Sequence, residues 1–332
     1  MKTKAKMMKA IVATGYGAPD VLKLQDVDKP QPKENEVLVK VHAASASTAD
    51  GMIRTGKPYY ARLILGIRKP KHPIQGTGFA GIVETVGKNV TTLKPGDRVF
   101  GETTFGFSTN AEYLTVPENG VILTMPEGLS FAEATTFCDG HLTSMNFLKE
   151  IARIKPGQKV LINGASGSLG TAAVQLAKYF GAEVTGVAST RNVGLVKSLG
   201  ADHVIDYTKK DFTNVNEKYD VVFDTVGKSS FSKSKKILSE SGLYMSPVLK
   251  LPLLLQMMRT SAFGKKRAKF SATGMLKESE LRTLLDELVE IVKKGRLKTV
   301  IDRQYPLEKV AEAHTYIDSG HKKGNVVILV QP

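Results

Sequence analysis

The chain has 332 residues, 42% of them hydrophobic, and a formal net charge of +15. That length is long for one domain and comfortable for two, and no apolar run approaches the ~20 residues of a membrane span. The single cysteine, Cys138, excludes an internal disulfide and fits a reducing compartment, so a cytoplasmic protein without a membrane partner is expected.

The start, Met1 to Met8, is basic but lacks the apolar stretch of a signal peptide before a strand-like Ala10 to Ala13. The first 130 residues read as β-rich. Val37 to Val41 alternates, and Gly81 to Val86 and Asp97 to Phe100 are short strands bounded by Gly and Pro. From Ser130 the pattern changes to alternating helix and strand. Strands are expected at Val160 to Asn163, Glu183 to Ala188, His203 to Ile205 and Asp220 to Asp224. Helices between them make a parallel, doubly wound α/β sheet the expected fold.

The strand Val160 to Ile162 runs into Gly164-Ala165-Ser166-Gly167-Ser168-Leu169-Gly170, and a helix pattern follows with Ala173, Leu176, Ala177 and Phe180 on one face. Strand, glycine turn and helix in that order cradle a dinucleotide pyrophosphate. Gly167 would let backbone approach the phosphates, and Gly170 would let the helix pack close to the strand. Ser166, Ser168 and Leu169 lie inside the turn. An NAD site wants an acid at the end of the second strand, for the ribose 2′-hydroxyl. Ala188 stands there, followed by Ser189, Thr190 and Arg191, whose hydroxyls and guanidinium suit a 2′-phosphate. The same residues also suit the capping of the next helix. NADPH is therefore favoured over NADH.

Lysines cluster at Lys228, Lys233, Lys235 and Lys236, and basic residues recur at Arg259, Lys265, Lys266, Arg267 and Lys269. No recognisable nucleic-acid module accompanies them and no aromatics are interleaved. They are read as a solvated surface that attracts anionic cofactors, not as a nucleic-acid interface. Leu251 to Met258 is a short apolar run containing Pro252. An amphipathic helix is expected from Glu278 to Lys294, with Leu281, Leu284, Leu285, Leu288, Ile291 and Val292 as its apolar face, and a last strand at Val326 to Val330. There are no internal repeats.

Three motifs in fixed order resemble the medium-chain dehydrogenase/reductase superfamily. They are Gly76-Thr77-Gly78-Phe79-Ala80-Gly81 running to Gly87, Lys94-Pro95-Gly96-Asp97-Arg98-Val99, and Ala111-Glu112-Tyr113. Within it the chain is similar to the zinc-free quinone oxidoreductase-like branch. The resemblance implies a β-rich, GroES-like catalytic domain over 1–128, a Rossmann NADPH-binding domain over 129–274, a C-terminal return to the catalytic domain over 275–332, and an active site in the cleft between domains. It implies a homodimer. Zinc-dependent members hold their metal through Cys, His-Glu and Cys. Here Ser47 occupies the first position, Thr77-Gly78 the pair, and Cys138 lies near the last without partners, so no metal is expected. His72, His141 and His314 are read as surface or packing residues.

The chemistry then implied is hydride delivery to a quinone or an α,β-unsaturated carbonyl, whose oxygen is held by hydrogen-bond donors. By the same resemblance Ser47 and Thr48 form a polar pair near the nicotinamide, and Asp50 anchors their loop. Tyr59 or Tyr60 stands where related enoyl-thioester reductases carry a proton donor. Thr143, Tyr207, Thr225, Val226 and Asn325 are further implied cofactor contacts. The substrate is unnamed, because the segments Thr55 to Lys71 and Pro247 to Lys269, read as loops, carry no known signature. Two alternatives stand beside this reading. One is an enoyl-thioester reductase; the other is a crystallin-like protein that binds NADPH and RNA without turnover.

Overall fold

The computed structural model describes residues 6–104 and 108–331, so the first five residues of the basic start lie outside the described residues. It divides into two compact units, residues 1–139, 274–289 and 301–332, and residues 140–273 and 290–300.

The first unit begins with an antiparallel pair, β1 (Met7–Ala13) and β2 (Leu22–Asp28). β3 (Glu36–Ala46) is longer than the Val37 to Val41 alternation, because Ala43, Ala44, Ser45 and Ala46 are buried one after another. α1 (Thr48–Thr55) and the single turn α2 (Arg62–Leu65) follow. Then come β4 (Gly78–Val86), β5 (Arg98–Glu102), β6 (Tyr113–Pro117), β7 (Val121–Thr124) and α3 (Phe131–Thr136). Val37, Val39, Val41, Phe79, Val83, Val99 and Leu114 form one core, as their period-two spacing demands.

The second unit is parallel throughout. It opens with α4 (Leu142–Met145) and β8 (Lys159–Asn163), then α5 (Ser168–Tyr179), β9 (Glu183–Ala188), α6 (Val193–Ser198), β10 (His203–Asp206) and β11 (Tyr219–Asp224). α7 (Phe231–Ser234), β12 (Leu238–Ser246), α8 (Leu251–Ala262) and β13 (Arg267–Phe270) complete it. The strand order β10-β9-β8-β11-β12-β13 is that of a dinucleotide-binding sheet, with its reversal between β8 and β11. The segment read as a loop over Pro247 to Lys269 is instead α8 followed by the edge strand β13. Pro252 falls in the first turn of α8, where its missing N–H costs nothing.

The chain then gives α9 (Glu278–Lys293), β14 (Ile301–Pro306), α10 (Val310–Asp318) and β15 (Asn325–Leu329). Leu281, Leu284, Leu285, Leu288 and Ile291 are buried, as expected of α9. β15 pairs antiparallel with β3 and parallel with β14, so the C-terminus completes the sheet begun by the N-terminus. Val310, Ala313 and Ile317 of α10 share a core with Ile11, Ala44 and Val326.

Candidate active site

In the second unit, β8 ends at Asn163 and the chain turns through Gly164, whose φ of +80° only glycine adopts cheaply. Gly167 caps α5 with extended backbone, and a Cβ there would meet only Gly164 O, at 3.5 Å. Among the described residues nothing else crowds that position, which leaves room for an anion over the first turn of α5. Gly170 is different: a Cβ would lie 2.1 Å from Gly164 O and 2.6 Å from Ala165 Cα, so the helix packs directly on the turn. Sequence reasoning missed Gly140, where a Cβ would lie 2.6 Å from Ser168 O. Ser166 Oγ accepts from Asn192 Nδ2 at 3.0 Å, Leu169 O accepts from Ser144 Oγ at 2.8 Å, and Thr143 beside Ser144 is half-buried.

At the switch point the organiser is Asp224, fully buried and also missed. Its carboxylate accepts from Asn163 Nδ2 (2.8 Å), Tyr244 Oη (2.9 Å) and the backbone N–H groups of Gly227 (3.0 Å) and Ser229 (2.8 Å). Burial, and then the Asp224 carboxylate, push the Tyr244 hydroxyl far up, so it stays a donor. Thr225 Oγ donates to Asn163 O at 2.7 Å, while Val226 is exposed. The turn that carries both is thereby held from below, at the C-terminal ends of β8 and β11.

After β9, Ser189 is half-buried and Thr190 and Arg191 are exposed. Thr190 Oγ is not idle: it donates to Asp206 Oδ2 at 2.6 Å, and Thr208 N–H and Oγ donate to Oδ1. The Thr190 and Thr208 hydrogen bonds hold the Asp206 carboxyl below its ordinary range. Asp206 lies opposite Ala188 in the β9–β10 register, so an acid does stand near the position read as empty of one. It arrives from the next strand, where the motif does not look. Tyr207 beside it is exposed.

In the first unit, Ser47 ends the strand side of the β3–α1 junction and caps α1 in a reciprocal box. Ser47 N–H and Oγ donate to Asp50 Oδ2 at 2.7 and 2.9 Å, and Asp50 N–H donates to Ser47 Oγ at 3.2 Å. Asp50 thus anchors the loop as expected, and Thr48 is exposed on the first turn. Asp50 Oδ1 is buried without a hydrogen-bond partner. Burial pushes Asp50 up to about 7, against the pull of Ser47, with Asp139 adding to the rise. Glu102, at the end of β5, is pushed up to about 8 by burial and then by the charges of Asp139 and Asp50. Lys322 is held down by burial while Asp139, Asp302 and Asp50 pull it back up. Asp50, Glu102, Asp139 and Lys322 therefore form one electrostatic cluster. Glu102, Asp139 and Lys322 sit on separate segments with no local motif, and sequence reading had no signal for them.

Tyr59 and Tyr60 are exposed on a short turn, with the Arg62 guanidinium 4.9 Å from the Tyr59 ring. Asn325, first residue of β15, is buried. His141 and His314 are buried, and burial, then Arg54, lowers His314 to about 4. The sites thus fall into two groups, one in each unit.

Residues 33–127 match the family described as alcohol dehydrogenase GroES-like domain, and residues 199–328 the family described as zinc-binding dehydrogenase. The chain is 34% identical to the quinone oxidoreductase of Sus scrofa, covering 99% of this chain and 100% of that one. It is 32% identical to the chloroplastic NADPH-dependent alkenal/one oxidoreductase of Arabidopsis thaliana, over 98% of this chain and 81% of the relative. The solved structure of the quinone oxidoreductase from Coxiella burnetii superposes with a TM-score of 0.86 at 31% identity, covering 98% of this chain and 100% of that one. The chain belongs to the zinc-free quinone oxidoreductase-like branch of the medium-chain dehydrogenase/reductase superfamily. It is an oxidoreductase.

The zinc in one matched family's description does not fit this member of the quinone oxidoreductase-like branch. Where the superfamily's Glu would stand, a Cβ on Gly78 would lie 2.5 Å from Ser45 Oγ and 3.3 Å from Cys138 Cβ, so no longer side chain enters. Cys138 is buried, and burial, then Glu102 and Asp139, holds its thiol well above the usual range, the opposite of what a zinc thiolate needs. Among the described residues no group of three or more His, Cys, Asp or Glu is arranged to hold a metal.

Proposed function

We propose that this oxidoreductase uses NADPH, without zinc, to reduce quinones or α,β-unsaturated carbonyls. The observation that carries the reading is the bare face of Gly167 over the first turn of α5, at the switch point of the parallel sheet. NADPH, when bound, supplies the hydride. The first turn of α5 offers N–H groups to the pyrophosphate. Thr225 and Val226, held by Asp224, line the way to the nicotinamide ribose. Arg191 pairs with the 2′-phosphate, and Tyr207 and Thr143 border the cofactor. In the first unit Ser47, Thr48 and Asn325 supply polar groups.

For the proton that follows the hydride, water can serve, and Tyr59 and Tyr60 stand in the open beside it. Asp50 is 1% exposed with its Oδ1 closed off, so it holds Ser47 and its loop and does not reach a substrate. The names of the relatives, quinone oxidoreductase and alkenal/one oxidoreductase, support the acceptor class.

A second cofactor reading rests on Asp206, whose carboxylate near Ala188 would suit the free 2′-hydroxyl of NADH. The test is a coenzyme oxidation screen, NADPH beside NADH, across quinones, enones, enoyl thioesters and aldehydes, with saturated alcohols plus NADP as the reverse case. Turnover with conjugated acceptors and background rates with alcohols are expected. Alcohol oxidation, or silence with every conjugated acceptor despite NADPH binding, refutes the proposal. A cytoplasmic homodimer belongs to the same reading, and sedimentation at micromolar concentration checks the dimer.

A further inference from the structure

α1 ends at Gly56, whose left-handed backbone turns the chain into residues 57–71. This segment is held from beneath. Arg62 Nε and Nη2 donate to the carbonyls of Gly56 and Thr55 at 3.1 and 3.2 Å. Lys71 N–H donates to Leu65 O at 2.8 Å, and Tyr16 Oη donates to Gly66 O at 2.6 Å. Gly66 has a φ of +120°, and a Cβ there would lie 2.2 Å from Lys69 O, so only glycine closes the loop. On this frame the large apolar side chains face water. Tyr59, Tyr60, Leu63, Ile64 and Ile67 are 66%, 60%, 74%, 55% and 71% exposed. Single exposed leucines are ordinary; five large apolar side chains on one closed loop are a patch.

The patch carries its own charge. From Gly51 to Val83 the cations are Arg54, Lys57, Arg62, Arg68, Lys69 and Lys71, and there is no Asp or Glu. Two of these cations are engaged. Arg54 is buried on Gly17 O and Asp318, and Arg62 lies 4.3 Å from the Tyr16 ring and 4.9 Å from the Tyr59 ring, besides its bonds to carbonyls. Lys57, Arg68, Lys69 and Lys71 are exposed, and among the described residues no carboxylate or carbonyl accepts from their side chains. They border the apolar side chains. Arg68 and Lys69 follow Ile67 directly, inside the loop that the bond from Lys71 to Leu65 closes, and Lys57 Nζ stands 6.0 Å from the Tyr59 ring.

The partner must therefore accept projecting aliphatic side chains, tyrosines and unpaired cations together. Side chains more than half exposed stand out from the surface and line no groove, so a peptide has nothing to lie in. A second copy would set cations against cations. A nucleic acid would take the cations, but the Tyr59 ring already carries Arg62, and Leu63, Ile64 and Ile67 offer no stacking face. An anionic bilayer takes all three: aliphatic side chains at the acyl boundary, tyrosines at headgroup level and cations on the phosphates. We propose that residues 57–71 dock this protein on an anionic lipid surface. No helix among the described residues is long and apolar enough to cross a membrane, and a segment lying in the interface needs no such length. The sequence-based expectation of no membrane partner weighed spans alone.

The test is sedimentation of the full-length protein with vesicles of phosphatidylcholine, and of phosphatidylcholine with phosphatidylglycerol. Binding to the anionic vesicles, weakened by salt, is expected. The apolar variant Leu63→Ser, Ile64→Ser, Ile67→Ser should lose about tenfold or more in binding, since three inserted side chains leave the acyl boundary. The cation variant Arg68→Gln, Lys69→Gln, Lys71→Gln should lose about tenfold or more at low salt, and its difference from the native protein should shrink at high salt. Both variants alter exposed positions, and an unchanged melting temperature shows that they fold. Equal sedimentation with neutral and anionic vesicles, none with either, or native binding by the apolar variant overturns the proposal. So does self-association of the native protein that the apolar variant abolishes, which assigns the patch to a second copy. An RNA gel shift that the cation variant loses and the apolar variant keeps, without vesicle binding, also overturns it.

Discussion

Alanine at Gly167 and alanine at Gly170 should separate cofactor binding from stability. At Gly167 the backbone φ of −82° suits any L residue, and the new Cβ would meet only Gly164 O, at 3.5 Å. Losing glycine's freedom in the unfolded chain stabilises by ~0.4–1 kcal/mol, and trading a glycine N-cap for alanine costs about as much. The net change should stay within about 1 kcal/mol. The same methyl stands where a pyrophosphate approaches the first turn of α5, so NADPH affinity should fall at least about tenfold, or ~1.4 kcal/mol. At Gly170 the neighbours at 2.1 and 2.6 Å are backbone atoms of Gly164 and Ala165, which have no rotamer to change. α5 must lift from the turn, at ~1–3 kcal/mol of overpacking. Urea unfolding of each variant, beside titration of NADPH fluorescence, reads both quantities. Native NADPH affinity in Gly167→Ala refutes the placement of the phosphates. Native stability in Gly170→Ala refutes the packing argument.

Arg191→Ala should weaken NADPH by ~1.5–3 kcal/mol, the value of a charge-assisted contact, and leave NADH nearly unchanged. Equal losses for both, by the same titration, refute the assignment of Arg191 to the 2′-phosphate. Burial lifts Asp50 from 3.8 to about 7, so the folded protein keeps a proton that the unfolded chain releases. Its stability contribution is full below pH ~4 and is lost as pH rises through ~7, by up to ~4 kcal/mol at ~1.36 kcal/mol per pH unit. Asp50→Asn should flatten the fall of the urea midpoint between pH 4 and 8, and an unaltered slope contradicts the protonated carboxyl. Tyr59→Phe and Tyr60→Phe alter exposed side chains and should shift stability by no more than ~0.5 kcal/mol. Their kcat with enones should stay within about twofold of native; a tenfold drop would return the proton donor to the tyrosines.

The phosphate turn was legible in the sequence because its information is local. β8, Gly164, Gly167, Gly170 and the apolar face of α5 follow one another within a single strand–turn–helix unit, and each residue's role depends on its chain neighbours. The alternation of strands and helices likewise implied a parallel sheet, since parallel neighbours require a crossover. The same reasoning failed for β12 and β13. Ser239, Glu240 and Ser241 interrupt the apolar pattern of β12, and β13 is a basic edge strand whose place is decided by its partner. It failed for α8, which lies in the segment Pro247 to Lys269 read as a loop; Pro252 falls in the helix's first turn, where it is tolerated.

The polar sites divide in the same way. Ser47 and Asp50 are three residues apart, and their capping box is a sequence pattern. That Asp50 shares its electrostatic surroundings with Glu102, Asp139 and Lys322 is a property of the folded sheet. So is the meeting of Thr190 with Asp206 across β9 and β10, which placed an acid where the chain's own order showed Ala188. Charge and hydrogen bonding act through space, and only the packed strands set which distant residues share that space.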